Sequence, residues 1–129
     1  DKQMKKIITS PNAPDPIGPY NQAVLANDTL FLSGQIGLNP LSMIMVEGGV
    51  KEEAKQVMEN LKAVLEAAEM TFDQVVKSSI FLSDMEDFSQ VNEVYAAYFN
   101  NDDAPARETI AVKTLPKNVK VEISMIAVK

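Results

Sequence analysis

The most regular pattern in the chain runs from Val50 to Glu69, VKEEAKQVMENLKAVLEAAE. There Ala54, Val57, Met58, Leu61, Val64, Leu65 and Ala68 recur at steps of three and four. That spacing gathers them on one stripe of an amphipathic helix, with charged residues opposite. A shorter helical pattern lies in DFSQVNEVYAAYF, Asp87 to Phe99, with Phe88, Val91, Tyr95 and Tyr98 on its buried side. Elsewhere the alternation has a period of two. Met4 to Ile8 reads as a first strand, NQAVLA and TLFLSGQIGL as two strands around a turn at Asn27-Asp28, and VVKSSIFLSD as a fourth. RETIAV and VKVEISMIAV close the chain as strands five and six. The loop TSPNAPDPIGPY carries four prolines and one glycine, which forbid a helix and give a stiff, irregular path.

The order β-β-β-α-β-α-β-β predicts an α+β fold over residues 1–129 as one domain: a single six-stranded mixed sheet with two helices packed on one face. In the last strand Val119, Val121, Ile123, Met125 and Ala127 point toward the helices. Lys120, Glu122, Ser124, Ile126 and Val128 point away. A half-apolar outward face with no element left to cover it predicts burial against another copy of the chain, hence a homo-oligomer.

Composition narrows the chemistry. The 129 residues include no cysteine and no histidine, which removes thiol nucleophiles, Ser–His–Asp triads and zinc sites of the His/Cys type. The acids are scattered, so no metal site is expected. The net charge of −6 and pI near 4.6 place nucleic-acid binding at a disadvantage, and Lys113, Lys117 and Lys120 read as a solvated edge. No apolar run reaches the roughly 20 residues of a membrane span, and the first residues lack a signal-peptide core. Those two absences predict a cytoplasmic protein with no membrane partner.

What remains is carboxylate and guanidinium chemistry, and the stretch PARETIAVKTLPKNVKVEI, Pro105 to Ile123, holds one of each among β-formers. If strands five and six pair antiparallel across KTLPKN with Val112 opposite Val119, then Thr109 faces Glu122 and Arg107 faces Ser124. Arg107 and Glu122 become diagonal neighbours on the uncovered face, at the subunit contact. Such a pair is either an ion pair across an interface or a site. In the second case the planar guanidinium suits a substrate carboxylate and the glutamate positions or deprotonates a water.

IGPYNQA at Ile17–Ala23, FLSGQIG at Phe31–Gly37, ENLKAVLEAA, FLSDMEDFSQVNEVYAAYF and the closing PAR…LPKNVKVEI…IAV resemble, in order and spacing, the RidA family (YjgF/YER057c/UK114). The resemblance spans Ile7 to Lys129. It implies a chorismate-mutase-like fold and a homotrimer with sites between subunits. It also implies hydrolysis of 2-aminoacrylate and related enamines and imines to 2-oxo acids and ammonia, with no cofactor. By position it implies that Arg107 grips the substrate carboxylate and Glu122 orients water. Tyr20, Ser33 and Gly34 would line the cleft, Asn92 would stand near it, and the backbone N–H of Thr109 would add a donor. Each has a plainer alternative: packing for Tyr20, backbone geometry for Gly34, a satisfied loop for Asn92.

The chain departs from the family pattern in several places. Glu108 and Thr109 stand where relatives carry Ser-Cys, Ser124 replaces an acid, Glu69 replaces a helix-ending glycine, and the loop Asn100–Ala104 is short. Two other roles fit the same resemblance: a non-catalytic 2-oxo-acid-binding or purine-regulatory protein, and a translation inhibitor acting on RNA. The acidic charge argues against the latter.

Overall fold

Both ends of the long helix explain why it forms where it does. The chain enters through Gly48 and Gly49, whose φ angles of 117° and 100° suit only glycine, and Glu52 and Glu53 sit in the first turn beside the exposed helical N–H groups. It leaves through a Schellman turn: Met70 N–H donates to the Leu65 carbonyl and Glu69 N–H to that of Glu66, both at 2.9 Å. The structure is a computed structural model describing residues 4–129. In order its elements are β1 (Lys5–Ile8), β2 (Ala23–Ala26), β3 (Thr29–Gln35), α1 (Val50–Ala67), β4 (Val75–Leu82), α2 (Phe88–Ala96), β5 (Ala106–Ala111) and β6 (Val121–Val128).

The strands form one six-stranded mixed sheet in the order β1-β2-β3-β6-β4-β5, with α1 and α2 against one face. The predicted element order and fold class stand. The stripe Ala54, Val57, Met58, Leu61, Val64 and Leu65 is buried against Leu30, Leu32, Ile80, Leu82, Val121, Ile123 and Met125. Each large side chain taken out of water there contributes about 1.5–3 kcal/mol before the entropy of ordering it.

The expected β5–β6 hairpin does not form. β5 pairs parallel with β4, and β6 lies on the other edge of β4, antiparallel to both β4 and β3. The reason is the helix between β4 and β5. A strand–helix–strand unit with α2 on the sheet face returns β5 parallel beside β4, so β6 must take the opposite edge. The consequence is a change of face. Arg107 is the register partner of Ser78, and Thr109 of Ile80, and both partners are buried under the helices. Glu122 is the partner of Phe81, on the open face. The Arg107–Ser124 and Thr109–Glu122 pairings of the sequence reading are therefore replaced, and Arg107 and Glu122 lie on opposite faces of one sheet.

The open face carries Phe31, Phe81, Ile110, Ile126 and Val128, with Phe31 48% and Ile110 46% exposed. Among them Lys77 meets Glu108 at 3.0 Å, and the Ser79 hydroxyl donates to the same carboxylate.

Candidate functional site

Two separate groups of the anticipated residues emerge. Glu122 forms the floor of a cleft of about 360 Å³ walled by Pro14, Pro16, Ile17, Tyr20, Ile36 and Pro116, with Ser33 and Gly34 on its rim. Arg107, Asn92 and Thr109 line a narrow recess under α2 with Phe88, Val91, Ile80 and Leu82.

The cleft is held by polar side chains spent on backbone. Buried Asn60 of α1 donates to the carbonyls of Ile36 (3.1 Å) and Leu38 (3.0 Å), and Glu53 accepts the Lys120 N–H at 2.9 Å. These bonds fix the chain after β3 and just before β6, on either side of Glu122. The proline-rich wall is fixed by Gln22, a residue the sequence reading missed. Its side-chain oxygen accepts the Ser10 N–H at 2.6 Å, and its nitrogen donates to the carbonyls of Ser10 (3.1 Å), Ala13 (3.3 Å) and Pro14 (2.9 Å). A lone Gln closing a loop whose prolines leave carbonyls without ladder partners is the signal that could have found it. Tyr20 turns its hydroxyl back to accept the Ile17 N–H at 3.3 Å, which leaves the ring as cleft wall. Ser33 donates to the Asn21 carbonyl at 2.6 Å, so its proton is committed to pinning that loop to β3.

Gly34 has a clear reason to be glycine. A Cβ built there would overlap the carboxylate of Glu122. Glu122 itself has no hydrogen-bonded or ionic partner among the described residues, and its burial pushes its pKa above the ordinary carboxylate value.

In the recess, Arg107 Nη1 donates to Asn92 Oδ1 at 2.8 Å. Its guanidinium carbon stands 5.0 Å from the Tyr95 ring centre and 5.7 Å from that of Phe88. Phe88, Asn92 and Tyr95 follow at steps of four and three on α2, so one helix face supplies all three contacts. The ion pairs among the described residues join Lys51 to Glu93 and Lys77 to Glu108, and neither includes Arg107. Thr109 Oγ1 is buried without a hydrogen-bond partner. A guanidinium with no ionic partner among the described residues is suited to a carboxylate.

Comparison with known proteins bears on the chain as a whole. A family model described as endoribonuclease L-PSP matches residues 10–129. The chain belongs to the YjgF/RidA family. The RutC family protein PH0854 of Pyrococcus horikoshii is 48% identical over 126 residues, covering 98% of this chain and 99% of that protein. The 2-iminobutanoate/2-iminopropanoate deaminase of Mus musculus is likewise 48% identical, over 98% of this chain and 93% of its own length. Among solved structures, E. coli TdcF with bound serine superposes with a TM-score of 0.90 at 39% identity, covering 96% of this chain and 98% of that one. The family assignment from the quoted motifs is therefore correct, and a relative bearing a deaminase name matches 98% of this chain.

Proposed function

We propose that the protein hydrolyses 2-imino acids and their enamine tautomers to 2-oxo acids and ammonia, in sites completed between copies of a homotrimer. The observation that carries this reading is the unneutralised Arg107 guanidinium on one sheet face and the unpartnered, half-buried Glu122 carboxylate on the other. Neither half is a site by itself. A second copy laid on the apolar open face brings the recess of one chain toward the cleft of its neighbour. The mouse relative's name and the serine held by E. coli TdcF support a small amino-acid-like ligand.

In this reading Arg107 and Thr109 hold the substrate carboxylate, which fixes the adjacent electrophilic carbon. The enamine takes a proton at its terminal carbon to give the imine. Glu122 accepts a proton from water as the oxygen bonds to the imine carbon. Glu122 returns that proton to the nitrogen of the tetrahedral adduct. The C–N bond breaks as the adduct's hydroxyl gives its own proton to the departing nitrogen, and ammonia and the 2-oxo acid remain. The apolar walls of Pro14, Pro16, Ile17 and Ile36 would receive the substrate's side chain.

The test is a threonine-dehydratase-coupled assay following ammonia release. Adding the protein accelerates release, and Arg107→Ala removes the acceleration. Full activity in Arg107→Ala would end the reading. The family description as an endoribonuclease favours RNA as a rival substrate, but a chain of net charge −6 is poorly suited to phosphate.

A further inference from the structure

Arg107 sits on an edge strand, and a long side chain at a sheet edge samples many rotamers unless its surroundings restrain it. Asn92 restrains one nitrogen. The larger restraint comes from Tyr95, and the way Tyr95 is itself held is specific. Tyr95 is 6% exposed, and its hydroxyl donates to Ser78 Oγ at 2.9 Å. Ser78 is fully buried on β4 and is the register partner of Arg107. The ring of α2 is thus bonded to the strand position directly beside the arginine it faces. On its flank Phe99 packs with ring centres 4.7 Å apart, so the aromatic plane has little freedom to turn.

We propose that Tyr95, locked by Ser78, is a positioning residue that aims the Arg107 guanidinium at the ligand carboxylate, with the exposed Phe88 ring as the opposing guide. The proposal rests on the carboxylate-binding role of Arg107 given above. An aromatic face attracts a guanidinium without accepting its N–H bonds in the ring plane. A carboxylate in place of either ring would neutralise Arg107 and compete with the substrate; a ring leaves both charge and donors available. With Nη1 engaged by Asn92, Nε and Nη2 still carry N–H donors for a ligand. Burial holds the Tyr95 phenol above its ordinary pKa despite the Ser78 bond and the arginine's charge, so it stays a neutral ring at physiological pH. The device is geometric: it orders the arginine before the ligand arrives, and so reduces the ordering that binding must accomplish.

The experiment measures 2-oxobutanoate binding by calorimetry beside ammonia release, in the intact assembly. Tyr95→Leu weakens 2-oxobutanoate about tenfold and raises KM by more than it lowers kcat. Tyr95→Phe, which keeps the ring and loses the Ser78 bond, restores affinity to within about threefold. Phe88 is 38% exposed, so Phe88→Leu opens no large core cavity; it weakens binding by about threefold and decides the matter should Tyr95→Leu fail to fold. Unchanged affinity in Phe88→Leu and in a folded Tyr95→Leu overturns the assignment and leaves the deaminase reading intact. Weakened 2-oxobutanoate binding, with no ammonia release by the unsubstituted protein, upholds the assignment and removes the deaminase reading. Failure of the unsubstituted protein both to bind 2-oxobutanoate and to release ammonia overturns both.

Discussion

Glu122 is where a single residue carries a measurable electrostatic signature. Burial favours its protonated form, so its pKa in the folded protein lies above that in the unfolded chain, about 4.3. Its contribution to stability is fully present below that unfolded value and is lost as pH rises through the raised one. At neutral pH the ionised carboxylate is therefore a liability for the fold and an asset for chemistry. The acid limb of kcat/KM falls above pH 4.3, in the range of this raised pKa. Glu122→Gln flattens that limb, lowers turnover at neutral pH and raises the melting temperature at pH 7 more than at pH 4. A limb surviving unchanged in Glu122→Gln assigns the titration to another group. At this scale the sequence was informative about identity and silent about orientation. Arg107 and Glu122 stood out as charges among β-formers, yet which face each takes depends on strand pairing that neither residue determines.

At the scale of elements, local periodicity was sufficient for the helices and for all six strands, with ends displaced by a few residues. The α1 stripe is buried as its spacing required, whereas on α2 only Val91 and Tyr95 of the four anticipated residues are fully buried. Phe88 stays accessible at the first position of a helix only nine residues long, and Tyr98 stays partly accessible two residues beyond its end. Strand adjacency was the element-level failure. KTLPKN looked like a hairpin loop, but the preceding strand–helix–strand unit dictates a parallel β4–β5 pair, and that rule outranks the appearance of one loop. The end of α1 offers a sharper lesson. Glu69 occupies the left-handed position of the Schellman turn with φ 61°, where a side chain is strained. Glu69→Gly relieves it and stabilises the protein by about 1 kcal/mol, read as a shifted urea midpoint with unchanged slope. No gain would mean that glycine's extra unfolded-state entropy offsets the relief.

The whole molecule has a covered face and an uncovered one, and the uncovered one is too apolar to be an ordinary wet surface. Phe31, Ile110, Ile126 and Val128 lie around the Lys77–Glu108–Ser79 group, a polar centre in an apolar field of the kind that fixes register between copies. If this face joins protomers, Ile110→Glu places an unpaired charge in the contact. The protomer should keep its far-UV dichroism, sediment as a monomer and lose ammonia release. A monomeric variant with full turnover would show that one chain suffices. On the assembly reading, the opposite-face placement of Arg107 and Glu122 has a genetic consequence. Each chain lends its guanidinium to one neighbour and its carboxylate to the other, so a lesion in either group falls on a site shared with another polypeptide. Two alleles, one without the arginine and one without the glutamate, would each be null alone, yet a heterozygote would rebuild some intact sites at junctions where the sound halves of unlike chains meet.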